Sequence, residues 1–415
     1  MANSNLTLDV ITKELLRLAH EKSAFIGTVN RQFDDSWSKQ GPTGDTLRIR
    51  LPSQYTRRTG SRVMDIQDNV QLSTSLVRAT QDGVDMRWNS REFAMDVDLD
   101  KLSETHLAPA MAVLVSGIES DMLAAMTKAT YNVAGTAGNA ISSLTAVGQA
   151  RALLNRGLAP KDGNRCIQID SGTMGTAVDG LKGLFQDSTQ IKEQYREGKI
   201  GRTAMADWYE NERVWSMPNI SSVKMSSSTI STFNITTNGL TALSIASLDT
   251  PTVGMVFVVG SGATGIYQCH PETKAAYPNL QQFTVLSGST SVYVSISPPI
   301  YVNGAQQNVC TVSGGQITSS TAGISTAAVS FIGAVNSTYV MGLMYHRDAF
   351  TFATAALPLM DDAIKCVVKT MDGISIRLWQ AADIRNDEIL TRLDILYGFA
   401  AIRPAWASRI IGSSS

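Results

Sequence analysis

The residues best spaced for chemistry are the glycines of Gly260-Ser261-Gly262-Ala263-Thr264-Gly265, which fit GxGxxG. Such a turn lets backbone approach a pyrophosphate, and the apolar run Met255 to Val259 before it reads as the strand that a dinucleotide site needs. The residues after the turn do not fit such a site. Ile266-Tyr267-Gln268 is extended in pattern, Pro271 and Pro278 break any helix, and no acidic residue stands about twenty positions on. Without a helix N-terminus no dipole holds the phosphates, so a β-turn is expected. His346-Arg347-Asp348 opens like a kinase catalytic loop, but Ala353 stands where the metal-binding Asn should be. Asp96, Asp98 and Asp100 open like a calcium loop, yet Lys101 replaces the turn Gly and Leu107 the bidentate Glu. His20, His106, His270 and His346 are too scattered for a metal or a triad. Cys166, Cys269, Cys310 and Cys366 show no ligand spacing and read as reduced, small hydrophobes. No catalytic, cofactor-binding or metal-binding residue is expected, and the chain does not read as an enzyme.

The arginines are more informative. Leu47-Arg48-Ile49-Arg50-Leu51 alternates strictly, which predicts a strand with one apolar and one arginine face. Arg57, Arg58 and Arg62 come next around Gly60, no acidic residue occurs from Thr46 to Val63, and Val70 to Val77 supplies a return strand. The result is an extended basic hairpin. It is either a solvated loop or an arm that reaches carboxylates on another chain, for which forked guanidinium groups are suited. Phe93, Met95, Val97 and Leu99 alternate with Asp96, Asp98 and Asp100, giving a half-buried strand whose acidic edge could receive the arm, as could Glu193 or Glu197.

Other elements must hold that arm. Leu8 to Phe25 has the pattern of an amphipathic helix. Ser103 can cap a long helix in which Met111, Leu114, Ile118, Met122, Ala125 and Ala129 recur every three or four residues; at ~1.5 Å per residue it exceeds 30 Å. Its apolar stretch, Leu107 to Ala129, carries Glu119, Asp121 and Lys128 and is expected to fall short of a membrane span. Helices are expected at Thr145 to Arg156, ended by Gly157, at Thr173 to Phe185 and at Asp348 to Ala355. Strands are expected at Arg165 to Ile169, Tyr339 to Tyr345, Ala363 to Lys369, Ile374 to Trp379 and Thr391 to Phe399. Between Asn219 and Val340 the charged residues are Lys224, Asp249, Glu272 and Lys274, in a background of Ser, Thr, Gly and Val. That reads as an all-β domain inserted into an α/β host. The formal net charge of -1 argues against a dedicated nucleic-acid binder, and charged residues at 17% leave surface that other copies of the chain could cover. Met1 to Val10 has no signal-peptide pattern.

This order resembles the major capsid proteins of tailed bacteriophages, which share the Hong Kong-type capsid fold. Gln194 to Arg202 looks like the strand-turn segment before that family's tip region. His346 to Phe350 is similar to its recurring His/basic/Asp-Ala-Phe segment, and Asp387 to Pro404, with Arg392-Leu393-Asp394-Ile395-Leu396-Tyr397-Gly398, to its closing strand. The inserted stretch resembles that of short-tailed phage coat proteins with an extra barrel-like domain. The resemblance implies an α+β fold with an N-terminal arm (1–40), an extended loop and peripheral domain with the spine helix (41–135), an axial domain (136–218 plus 341–415) and an inserted β domain (219–340). It implies a homo-oligomeric shell of pentamers and hexamers around packaged DNA, held through Arg48, Arg50, Arg57, Arg58 and Arg62 on one side and Asp96, Asp98, Asp100, Glu193 and Glu197 on the other. Partners would include a scaffolding protein, a portal and a decoration protein, with DNA touched only weakly, no membrane and no cofactor. Shell assembly would take place in the host cytoplasm. An encapsulin-like compartment shell is the alternative, and a nucleotide-dependent enzyme using the Gly260 to Gly265 turn a remote one. Some relatives cross-link through a hairpin lysine, but this chain has no lysine between Lys39 and Lys101, so a shell without covalent links is expected.

Overall fold

A computed structural model of the chain describes residues 13, 15–17, 19, 23–32, 46–60, 64, 66–68, 71–89, 108–181, 201–217, 229–232, 237–246, 251–318, 327–334, 337–360, 365–371 and 374–414. Strands are numbered β1 to β23 and helices α1 to α3 in chain order. The chain divides into two compact units: Met1–Ile49, Thr74–Leu123 and Phe350–Ile402 form the first, and Arg50–Ser73, Ala124–Ala349 and Arg403–Ser415 the second.

In the first unit β1 (Thr46–Arg50) pairs β2 (Ser73–Val77). A separate five-stranded antiparallel sheet is organised by the 14-residue β22 (Glu388–Ala401). One edge of β22 carries β3 (Thr80–Asn89) along ten consecutive residue pairs. Its other edge carries β21 (Ile374–Asp383) and then β19 (Phe350–Ala355), and β20 (Lys365–Met371) lies outside β21. The segment expected as a helix from Asp348 to Ala355 is instead one 3-10 turn, Arg347–Ala349, followed by β19. Phe and Thr alternate through Phe350-Thr351-Phe352, and aromatic and β-branched side chains pack better on a pleated surface than on a helix. Every residue of β19 is buried, which hides the period-two pattern.

α1 (Ala108–Ala129) contributes residues through Leu123 to this unit, with Met111, Leu114, Ile118 and Met122 buried. Val115 and Ile118 meet Ala19, Ser23, Ile26, Phe352, Ile374 and Ile395 around a small apolar cavity. Contrary to the sequence expectation, an 18-residue window of α1 reaches mean hydropathy 1.3, enough by composition to cross a bilayer; 50% of that window is buried inside the protein. Glu119 on the same helix is fully buried, and its Oε1 accepts the N–H groups of Phe25 (2.7 Å) and Ile26 (3.2 Å). It thereby caps the 3-10 turn Ile26–Thr28, whose first N–H groups have no partner of their own.

In the second unit a sheet runs in the order β4 (Val133–Ala134), β23 (Ala407–Ser414), β18 (Tyr339–His346), β5 (Arg165–Ile169), β7 (Ala206–Glu210), β6 (Arg202–Thr203), with β8 (Ser216–Met217) also on β18. α2 (Leu144–Arg156) starts at Ser143, whose Oγ accepts the Thr145 N–H, and ends at Gly157, as its sequence predicts. α3 (Ser171–Leu181) starts at Asp170, whose carboxylate accepts the Thr173 N–H at 3.0 Å. Both helices bury an apolar face with β5, β18 and β23.

The charge-poor stretch supplies two further sheets. The larger is β17 (Val329–Phe331), β11 (Val256–Val259), β14 (Gln282–Val285), β15 (Tyr293–Ile300), β10 (Leu240–Ala246), β9 (Thr229–Thr232); the smaller is β13 (Ala276–Leu280), β12 (Tyr267–Cys269), β16 (Val309–Cys310). Their core is aliphatic and aromatic, centred on Phe257, Phe283, Val285, Val294 and Ile296.

Candidate assembly surface

β1 has the alternation read from its sequence: Ile49 is buried, Leu47 half-buried, and Arg48 and Arg50 share an exposed face. Beyond the ladder, the Leu51 N–H donates to Leu72 O at 2.8 Å. Farther along, Gln67 substitutes for a rung: its Oε1 accepts the Thr56 N–H at 2.8 Å and its Nε2 donates to Thr56 O at 2.7 Å. Arg57 and Arg58 lie next on an exposed stretch. The same arm exposes Tyr55 (59%), Met64 (79%) and Ile66 (83%). Guanidinium groups beside bare apolar side chains suit a protein surface with carboxylates and a greasy patch, not a small ligand. Arg62, Asp96, Asp98, Asp100, Glu193 and Glu197 lie outside the described residues, as does the strand expected from Phe93 to Leu99.

The ionic centre of the five-stranded sheet escaped the sequence reading. Asp394 on β22 is fully buried and accepts Arg377 Nη2 from β21 at 2.6 Å and Arg392 Nε at 2.6 Å. Its bond and charge hold the Arg392 guanidinium above its ordinary pKa. Gly83 of β3 lies opposite Asp394, where a Cβ would sit 2.5 Å from Leu393 O and 2.7 Å from Asp394 Oδ1; only glycine lets the strands approach there. Three residues farther along β22, Tyr397 donates to Asp82 Oδ2 of β3 at 2.6 Å, and burial, with Asp82 second, pushes the phenol pKa up.

Arg409 on β23 forms a second buried hub. Its Nε donates to Thr130 O (2.6 Å), Nη1 to Gly254 O, and Nη2 to Lys128 O (3.0 Å) and Thr284 Oγ1 (2.9 Å). Thr130 lies just past the C-terminus of α1, whereas Gly254 and Thr284 belong to the charge-poor stretch. Burial pulls the guanidinium down to about 9, so it is charged at neutral pH, facing carbonyl oxygens and the negative end of the α1 dipole. Around it Thr284 Oγ1 donates to Lys128 O at 3.0 Å, and the Gln282 amide pairs with both backbone groups of Val133 at 2.7 and 3.0 Å. The strands of the charge-poor stretch are thus fastened to the end of α1, β4 and β23 by side chains that satisfy backbone groups.

The chemical motifs settle into structural roles. Gly262–Thr264 is a 3-10 turn capped by Ser261 and Thr264, and it leads into β12, not a helix. Gly260 is required by φ +68° and by Thr264 O, which would lie 2.1 Å from a Cβ. The buried His346 places Nε2 3.0 Å from Asp162 Oδ1 while its Nδ1 accepts the Asp348 N–H at 3.2 Å. Among the described residues no three His, Cys, Asp or Glu side chains gather where they could hold a metal ion.

Residues 261–411 match the family described as P22 coat protein, gene protein 5. Among solved structures, a chain from Mycobacterium phage Che8 is 10% identical with a TM-score of 0.50, over 95% of this chain and 92% of that one. The capsid structure of cyanophage P-SCSP1u (11% identity, TM-score 0.42, 90% and 85% covered) and the mature capsid of bacteriophage PhiM1 (9%, 0.43, 89% and 82%) also match. No curated protein matches the chain. The family match covers the C-terminal part of the chain, and the likeness to the Che8 chain extends over its whole fold. The chain has the α+β Hong Kong-type capsid fold expected from its sequence. The segment matched by the family includes the strands that carry Asp394 and Arg409, so both buried hubs lie in the part of the chain that resembles it.

Proposed function

We propose that the chain is the major shell subunit of a tailed phage, assembling noncovalently into the pentamers and hexamers of an icosahedral capsid that encloses the genome. The arm carries this reading: Arg48, Arg50, Arg57 and Arg58 are exposed next to Tyr55, Met64 and Ile66. Against a neighbouring copy such a surface would supply both salt bridges and apolar burial. Arg62 extends the basic set, and Asp96, Asp98, Asp100, Glu193 and Glu197 are the proposed acceptors. One exposed ion pair contributes only ~0–1 kcal/mol, so each subunit needs many, and weak contacts let misplaced subunits leave during growth. The charge-poor β module between 219 and 340 is proposed as an inserted domain that aids folding and capsomer contacts.

Assembly is proposed to occur in the host cytoplasm with a scaffolding protein and portal, with or without a decoration protein. The coat protein is proposed to have no enzymatic activity, cofactor or covalent cross-link. The test is electron microscopy and sedimentation of the chain expressed with and without a scaffolding partner, beside the Arg48→Glu/Arg50→Glu/Arg57→Glu/Arg58→Glu variant. Closed shells or tubes from the parent, and folded but unassembled subunits from the variant, are expected. Normal shells from the variant would refute the role given to the arm.

A further inference from the structure

Two of the four cysteines come together in the charge-poor region although 41 positions separate them. Cys269 is on β12 and Cys310 on β16, neighbouring antiparallel strands in which Tyr267 pairs with Cys310 and Gln268 with Val309. In that register Cys269 and Cys310 lie on one face as diagonal neighbours. Both are buried, in a small cluster with Tyr267, Ala276 and Leu280. The hydrogen bonds of the two sulfurs, to the carbonyls of Tyr267, Gln268 and His270, are long at 3.8 to 3.9 Å.

The two sulfurs are not equivalent. The bond from Cys310 draws the Cys269 thiol below its ordinary pKa; burial opposes this, and the Lys274 ammonium assists. Lys274 is held in place by the carbonyls of Pro271 (2.7 Å), Ala305 (2.6 Å) and Gln307 (3.4 Å). Cys310, by contrast, is pushed far up by its bond to Cys269 and by burial. One thiol is prepared to ionise and its neighbour to keep its proton, the asymmetry that thiol oxidation exploits.

We propose that Cys269 and Cys310 form a redox site in the β12–β16 pair, with Cys269 as the attacking thiolate and Cys310 as the resolving thiol, oxidised to a cross-strand disulfide by a peroxide. The Cys269 thiolate attacks one peroxide oxygen, the O–O bond breaks, and the departing hydroxide takes up a proton to leave as water, giving a Cys269 sulfenic acid. Cys310 sulfur then attacks Cys269 sulfur and expels hydroxide, which takes the Cys310 proton. Two thiols and one hydrogen peroxide thus become one disulfide and two waters. From their diagonal places in the register the two strands must draw the sulfurs together to ~2.05 Å. The product ties β12 to β16 and closes a loop through β13, β14 and β15. The site depends only on the fold of this sheet, not on whether shells form.

The test treats the folded full-length chain with hydrogen peroxide, blocks free thiols with iodoacetamide under denaturing conditions, and maps peptides by mass spectrometry. A peptide pair joined through Cys269 and Cys310, lighter by two hydrogens and released by dithiothreitol, is expected. Cys310→Ala should leave a Cys269 sulfenic acid that dimedone traps, whereas Cys269→Ala should leave Cys310 at least tenfold less reactive with dimedone. Full alkylation of both cysteines in the oxidised parent would overturn the proposal, as would linkage to Cys166 or Cys366 instead. Faster trapping at Cys310 than at Cys269 would overturn the assignment of roles. Should either variant fail to fold, the map of the parent chain still decides whether the disulfide forms.

Discussion

Replacing Arg409 with alanine removes a side chain that touches the end of α1, the loop before β11 and strand β14 together. Of its four acceptors, Lys128 O keeps the Thr284 hydroxyl, and that hydroxyl keeps Lys128 O. Thr130 O and Gly254 O lose the only donor they have among the described residues. Each buried carbonyl left without a partner costs about 1–3 kcal/mol, so the pair costs about 2–6. Relief of the buried positive charge offsets part of this, leaving a net loss of about 2–4 kcal/mol. Since 1.4 kcal/mol is tenfold in an equilibrium, amide exchange limited by opening of this joint should quicken on the order of 100-fold. Hydrogen exchange of the full chain, read on peptides covering 128–133, 252–256 and 282–285, measures it directly. Arg409→Lys, which keeps the charge but cannot reach all four acceptors, should fall between. The reasoning is refuted if exchange quickens only within 407–414 while the other three segments stay as slow as in the parent.

The buried polar groups give two more outcomes. Asp394→Asn leaves Arg377 buried without its counter-charge and should cost about 3–5 kcal/mol in urea unfolding; a loss below about 1 kcal/mol would mean the charge is dispensable. Burial acts to raise the Asp162 pKa but is outweighed by bonds from Asn164 and His346, which lower it from 3.8 to about 2. A depressed carboxylate pKa contributes stability that is complete above about pH 4 and fades as pH falls toward 2. The gap in urea midpoint between the parent and Asp162→Asn should therefore shrink across that window, and a gap independent of pH would exclude the linkage.

What the sequence disclosed was local. Ser143 and Gly157 bracket α2 because capping depends on residues within one turn, and the arginine face of β1 comes from simple alternation. β19 was misread because both of its faces are buried, and the Asp348 signal belonged to a single 3-10 turn. β3 was missed: Thr80, Gln81, Asp82 and Gly83 look like a loop until β22 supplies the partners that make them a strand. The buried roles of Glu119, Arg377 and Arg409 were illegible for a different reason. All three bind backbone groups distant in the sequence, and a carbonyl or N–H leaves no mark in composition. The arm was legible as chemistry, whereas its proposed acidic counterpart lies outside the described residues.

The position of β23 bears on synthesis. It lies between β4 and β18, pairing with residues 276 positions earlier at β4, so the sheet of the second unit cannot close until residues 407–414 have left the ribosome. Until then β18 offers a bare edge to any passing strand, and contacts this distant in sequence form slowly. A nascent chain in that condition is what a chaperone would compete to hold, and folding capacity would limit the yield of the finished chain.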